Sequence, residues 1–177
     1  MCVLNFDNLE SIVFDFDGVL TDNRVWTDAE GREMVVCHRG DGLAFDVLLK
    51  LSLKMFILST ETNPVVARRA QKLCVPCVQS ISCKAETLRE LSVENQFSLE
   101  KTLFVGNDLN DLEAMDICGY RACPSDAHPT VRSRSHVVTN AAGGKGVVRE
   151  LVEEHFGVDM VQSLKHSSGE VNNKNVK

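Results

Sequence analysis

The sequence predicts an α/β fold, a Rossmann-like three-layer arrangement in which a mostly parallel sheet lies between two layers of helices. Short apolar runs rich in β-branched residues recur along the chain, separated by segments with helical spacing. Strands separated in that way pair in parallel and are covered on both faces. Four of five polar clusters fall directly behind such runs, which is where an open parallel sheet places its ligands. The 177 residues suffice for one domain with a sizeable core, but not comfortably for two.

Taken in order, Ile12-Val-Phe-Asp-Phe16 reads as a buried strand that ends at a Gly18 turn. Arg24–Thr27 and Arg32–Cys37 flank Asp28-Ala-Glu-Gly31, a turn signal, and predict a β-hairpin. Asp41 to Leu53 places Leu43, Val47, Leu48 and Leu51 at helical spacing, and Met55–Leu58 is the next strand. Asn63-Pro64 has the form of an N-cap followed by proline, opening a helix to about Leu73. Val75–Val78 is a strand, Ala85–Asn95 a helix and Thr102–Val105 a strand closed by Gly106. Leu109–Ile117 is helical, Tyr120–Cys123 and His136–Thr139 are short edge strands, and a last helix runs from about Gly146 to Phe156. After Gly157 the apolar pattern fades. The expected division is a domain over 1–157 and a polar, flexible tail over 158–177.

Composition removes several classes of function. Apolar residues make up 44% and charged residues 25%, ordinary for a globular protein, and no apolar run reaches the roughly 20 residues that span a bilayer. The first seven residues lack a basic region followed by an apolar one, which argues against a secretory signal and points to the cytoplasm. The net charge of −6 and the lack of a basic stripe argue against a nucleic-acid partner, but not against a small anionic substrate. Seven scattered cysteines do not suggest a disulfide framework. Cys74-Val-Pro-Cys77 lacks the second ligand pair of a zinc site; with Cys83 nearby it leaves a redox role open beside the plainer one of small buried residues.

The chemistry concentrates in Asp15-Phe-Asp17-Gly-Val-Leu-Thr-Asp22. Two carboxylates at i and i+2 of an extended chain point the same way, and Gly18 lets the backbone turn after them. One can attack phosphorus and bind a hard cation, and the other can protonate a departing oxygen. An Asp behind a strand also caps the following turn, which is the plainer reading of either residue alone.

This string resembles the signature of the haloacid-dehalogenase superfamily. Ser59 in Phe56-Ile-Leu-Ser59-Thr60-Glu61 matches its second motif, Lys84 its third, and Gly106-Asn107-Asp108-Leu-Asn-Asp111 its fourth, all in the right order. His38-Arg-Gly-Asp-Gly42, Val65-Val-Ala-Arg-Arg69, Asp126-Ala-His128 and Gly143-Gly-Lys-Gly-Val-Val-Arg149-Glu150 narrow the likeness to the branch that dephosphorylates 3-deoxy-2-ulosonic acid phosphates. That branch includes the octulosonate 8-phosphate and nonulosonate 9-phosphate phosphatases and the phosphatase-like domain of acylneuraminate cytidylyltransferases.

The resemblance implies that Asp15 takes the phosphoryl group, Asp17 serves as acid and then base, and Ser59 and Lys84 hold the equatorial oxygens. It also implies Mg²⁺ bound by Asp15, the Asp17 carbonyl, Asn107 and Asp108. Many relatives have Asp-Asp where this chain has Asn107-Asp108, so weaker Mg²⁺ binding is expected unless Asp108 or Asp111 compensates. Residues 18–58 and 60–83 are too short for a cap domain. Capless relatives are typically tetramers with the hairpin as a flap, and a homotetramer is expected here, motivated by Val25, Trp26, Met34, Val35 and Val36. Thr60 and Glu61 follow Ser59 where octulosonate-type relatives carry Gly-Arg, which favours a nine-carbon, sialic-acid-like 9-phosphate. Arg39, Arg69, Lys145 and Arg149 are candidates for the substrate carboxylate. Two alternatives are a catalytically weak assembly or regulatory module beside a cytidylyltransferase, and a receiver domain. In receivers, however, the phosphorylated Asp follows a middle strand.

Overall fold

The computed structural model describes residues 8–165. Readings that concern Met1–Asp7, Cys2 and the polar stretch from His166 lie outside the described residues. The elements in chain order are β1 Ser11–Phe14, β2 Thr21–Thr27, β3 Glu33–Cys37, α1 Arg39–Lys50, β4 Lys54–Leu58, α2 Val65–Leu73, β5 Cys77–Val78 and α3 Lys84–Glu94, then β6 Thr102–Val105, α4 Leu112–Asp116, β7 Tyr120–Cys123, α5 Pro129–Arg134, β8 Val137–Val138, α6 Val147–Glu150 and α7 Met160–Lys165.

Six strands form one parallel sheet in the order β5-β4-β1-β6-β7-β8, and β2 and β3 form a separate antiparallel hairpin. The alternation of side chains along each strand divides the core in two. Ile12, Phe14, Ile57, Leu103 and Val105 pack with Phe45 and Leu48 of α1, Val66 and Ala70 of α2, and Val147 and Val148 of α6. Val13, Phe56, Leu58 and Phe104 face the other way, against Ala85 and Leu88 of α3, Met115 of α4 and Val131 of α5. Because both faces are covered, these strands read as continuous apolar runs. Phe14 meets Phe45 edge to face at 5.0 Å.

Three details of the expected element list are corrected. Tyr120–Cys123 is an interior strand, because β8 pairs with its outer side. The segment expected as a tail from residue 158 contains α7, with Met160 buried in the main core and Val158 and Leu164 packed against it. One apolar residue per helical turn, in an otherwise polar segment, suffices to dock it. The last predicted helix is two pieces, α6 and a wider π-type turn over Leu151–His155.

From β1 the chain moves outward through β4 to β5, then returns beside β1 as β6 and continues the other way. The strand order therefore reverses between β1 and β6, and a crevice opens beyond their carboxyl ends. The segments between β1 and β4 and between β4 and α3 hold only the hairpin with α1, and α2 with β5. Among the described residues there is no cap domain. Among the described residues no helix is long and apolar enough to cross a membrane.

Candidate active site

Asp15 follows β1 directly, at the crevice, and its amide donates to the Val105 carbonyl of β6 at 2.9 Å. The backbone then turns. Gly18 has φ +86°, and a Cβ there would stand 2.0 Å from the Asn107 amide, so only glycine allows the first and fourth motifs to approach this closely. Thr21 secures the turn: its Oγ1 accepts the Gly18 amide at 3.1 Å and donates to Asp17 Oδ1 at 3.2 Å. Behind it, Gly143 and Gly144 lie against the backbone of Gly18 and Thr21, and the Gly144 amide donates to the Val19 carbonyl at 3.0 Å.

Lys84 opens α3 and is buried. Its Nζ donates to Asp15 Oδ1 and to Asp111 Oδ1, both at 2.6 Å. Burial works against the lysine's charge, but the two carboxylates outweigh it and hold its pKa above the ordinary range. Asp15 is raised to about 7, first by burial and then by the Asp111 charge, with Lys84 opposing. Asp111 also fixes the fourth motif, since its Oδ2 accepts the amides of Asn107 at 2.8 Å and Asp108 at 3.1 Å. The His128 amide holds the Asn107 carbonyl at 2.8 Å.

Asn107 decides whether a cation fits. One terminal atom of its amide lies 2.9 Å from Asp15 Oδ2 and 2.9 Å from the Asp17 carbonyl oxygen. With the nitrogen on that side, the amide donates to both. With the oxygen there, it stands from each of the other two at the spacing of adjacent ligands on an octahedral ion whose bonds are about 2.1 Å, whose neighbouring ligands stand about 3 Å apart. One carboxylate, one carbonyl and one amide suit a hard cation. Among the described residues no group of three His, Cys, Asp or Glu stands close enough to hold a metal ion. Asp108, expected among the ligands, is exposed, and its Oδ1 caps the following turn through the Leu109 amide at 2.7 Å.

Ser59 is buried behind β4, where its Oγ accepts the Glu61 amide at 3.1 Å and keeps a proton to donate. Thr60 lines both the cleft at Lys84 and a cavity of about 240 Å³ at Asp17, which Glu61 also lines. Asp17 is pushed up by burial, with Glu61 and Glu33 adding and the Thr21 hydroxyl opposing. A carboxyl held in that way can keep a proton to give.

The predicted cations do not join this group. Arg39, Arg69 and Arg149 line a separate cavity of about 610 Å³ with Lys72, which shares no lining residue with those at Asp17 and Lys84. Arg69 Nη2 donates to the His38 carbonyl at 3.1 Å, and Arg149 pairs with Glu153 at 3.1 Å. Lys145 Nζ stands 3.9 Å from Asp22. The described cysteines are free, and burial pushes the Cys118 thiol up to about 12. Two site residues were not singled out by sequence reasoning. Glu33 sits in an unremarkable hairpin, and Asp111 was weighed only as a compensating ligand, although its spacing of four from Asn107 was a usable signal.

A clamped carboxylate pair and a three-oxygen cation slot, at the switch point of a capless three-layer sheet, define a hydrolase of the phosphatase class. Residues 60–151 match the model of the haloacid dehalogenase-like hydrolases. The chain is 30% identical over 146 residues to the 3-deoxy-D-manno-octulosonate 8-phosphate phosphatase KdsC of Haemophilus influenzae, covering 82% of this chain and 81% of that protein. It is 26% identical over 146 residues to N-acylneuraminate cytidylyltransferase A of Danio rerio, covering 80% of this chain but 34% of that larger protein. Among solved structures, one from Streptomyces avermitilis assigned to the HAD family of hydrolases superposes with a TM-score of 0.84 at 42% identity, over 87% of this chain and 88% of that one. The octulosonate 8-phosphate phosphatase of Moraxella catarrhalis, in complex with a magnesium ion, phosphate and KDO, superposes with a TM-score of 0.80 at 25% identity, over 88% and 87%. The chain belongs to the haloacid dehalogenase-like hydrolase family.

Proposed function

We propose that this chain hydrolyses the phosphomonoester of an acidic 3-deoxy-2-ulosonic sugar, octulosonate-like or sialic-acid-like, through an aspartyl phosphate on Asp15. The observation that carries the reading is Asp15 itself, buried at the switch point, with one oxygen on Lys84 and the other facing the Asn107 amide, which also faces the Asp17 carbonyl. Asp15 attacks phosphorus, the bond to the sugar oxygen breaks, and the Asp17 proton goes to that oxygen to give the free alcohol. Water then attacks the phosphorus of the aspartyl phosphate and gives a proton to Asp17. Inorganic phosphate leaves and Asp15 is restored. Ser59 and Lys84 hold the equatorial oxygens through both steps. Asp15, the Asp17 carbonyl and Asn107 would hold Mg²⁺, which when bound would supply neutralising charge for those oxygens.

Arg39, Arg69 and Arg149 meet the substrate carboxylate in this reading only when a second protomer presents them, which is the role of the homotetramer. The rival, a weak assembly module, draws on the neutral Asn107 and on the cytidylyltransferase relative. Phosphate release with and without Mg²⁺, for wild type and Asp15→Asn, tests the choice. The expected result is Mg²⁺-dependent release that falls at least about 10³-fold in the variant, with a hydroxylamine-sensitive acyl phosphate trapped on the wild type. Release undiminished in Asp15→Asn overturns the mechanism, and none from any sugar phosphate favours the module.

A further inference from the structure

The cavity beside Asp17 is acidic, whereas the neighbouring cleft also holds a cation. Its charged lining is three carboxylates, Asp17, Glu33 and Glu61, and no Lys, Arg or His lines it. Across Thr60 the cleft contains Lys84, with Glu113 on its wall. A phosphate dianion is drawn to the lysine side, which leaves the group esterified to it on the acidic side.

Both glutamates are anchored. Glu33, on the hairpin, reaches across the gap to accept Asn63 Nδ2 at 3.0 Å, while Asn63 Oδ1 caps α2 through the Val65 amide at 3.0 Å. Glu61 Oε1 accepts the amides of Asn63 at 2.9 Å and Thr62 at 2.6 Å, which hold its carboxyl below the ordinary range and therefore ionised. Each carboxylate thus uses one oxygen in the scaffold and has a second for a ligand. An ionised carboxylate only accepts hydrogen bonds, so it welcomes hydroxyls and repels another carboxylate.

We infer that Glu33, with Glu61 opposite, selects the leaving group: the cavity takes a neutral chain bearing hydroxyls on the carbons next to the phosphoester and rejects a carboxylate there. An acidic substrate must then carry its carboxylate well beyond those carbons. This rests on the phosphatase reading. It adds a specificity residue from the hairpin, which becomes a wall of its own protomer's site.

The matched probes are sn-glycerol 3-phosphate and 3-phosphoglycerate, which differ only in CH₂OH against COO⁻. Wild type is expected to favour the former in kcat/KM by at least about tenfold at low salt, about fivefold for each glutamate facing the anion through water. Glu33→Gln keeps an oxygen for Asn63 and is expected to shrink the preference about three- to fivefold. Glu61→Gln should do the same. A ratio of two substrates does not move when a variant merely folds less well. p-Nitrophenyl phosphate separates the two failures. If neither these three esters nor any sugar phosphate is turned over, the phosphatase reading falls and this inference with it. If p-nitrophenyl phosphate is hydrolysed but the ratio is near one, or Glu33→Gln leaves it unchanged, selection of the leaving group by Glu33 is overturned.

Discussion

Asn107 is the residue through which this site differs most from an acidic one. Its amide can offer an oxygen to a cation or, turned over, a nitrogen to Asp15 and to the Asp17 carbonyl. A carboxylate can do only the first. Asn107→Asp should therefore tighten Mg²⁺ binding about tenfold by calorimetry, and should lower the melting temperature in EDTA, where a carboxylate then faces Asp15 Oδ2. Unchanged affinity together with an unchanged melting temperature removes the amide from the cation site. The sequence made Asp15, Asp17, Lys84 and Asn107 legible, because each is a chemically distinctive residue behind a strand. Asp108 and Asp111 could not be told apart in that way. Which of two nearby acids is buried and which caps a turn depends on where the loop enters its helix. Here Asp111 faces inward to Lys84, and Asp108 faces solvent.

Among the elements, α1 and α6 are joined by one buried acid. Asp41 Oδ1 accepts the Arg149 amide at 3.0 Å, whereas its Oδ2 has no partner. Burial raises its pKa, with the Arg149 amide opposing. In the window above the ordinary carboxylate pKa, the folded chain keeps a proton that the unfolded chain has lost. Stability therefore falls as pH rises through that window. Asp41→Asn keeps the accepting oxygen and removes the charge, so it should melt higher than wild type at neutral pH, by about 2–4 °C for each kcal/mol relieved. The difference should close toward pH 4; a lower melting temperature at pH 7–8 contradicts this. The strands were legible because they are apolar on both faces, and the long helices because their period is clear. The six-residue helices were not. α5 had the signal of His128 before Pro129, with His128 Nδ1 accepting the Thr130 amide at 3.2 Å, but too few turns to show a period. The interior place of β7 depends on the pairing of β8, two residues long, which no local pattern announces.

For the whole molecule, the hairpin gathers four exposed apolar side chains on one small element. Val25, Trp26, Met34 and Val36 are 52%, 66%, 62% and 47% exposed. With the cations in a cavity apart from Asp15, an assembly that covers the hairpin and completes the site is the expected state. Light scattering should give a tetramer, and Trp26→Glu with Met34→Glu should reduce it to monomers that keep the far-ultraviolet spectrum but lose kcat/KM for an acidic sugar phosphate. A monomeric wild type at assay concentration rules the assembly out.

The contact of Gly143 and Gly144 with the backbone of Gly18 and Thr21 joins positions more than a hundred residues apart. A ribosome adds about 5–20 residues each second, so the turn that carries Asp17 waits several seconds for its support to emerge. The nascent chain bears its reactive carboxylates early, yet gains a competent centre only once Gly143 and Gly144 have followed.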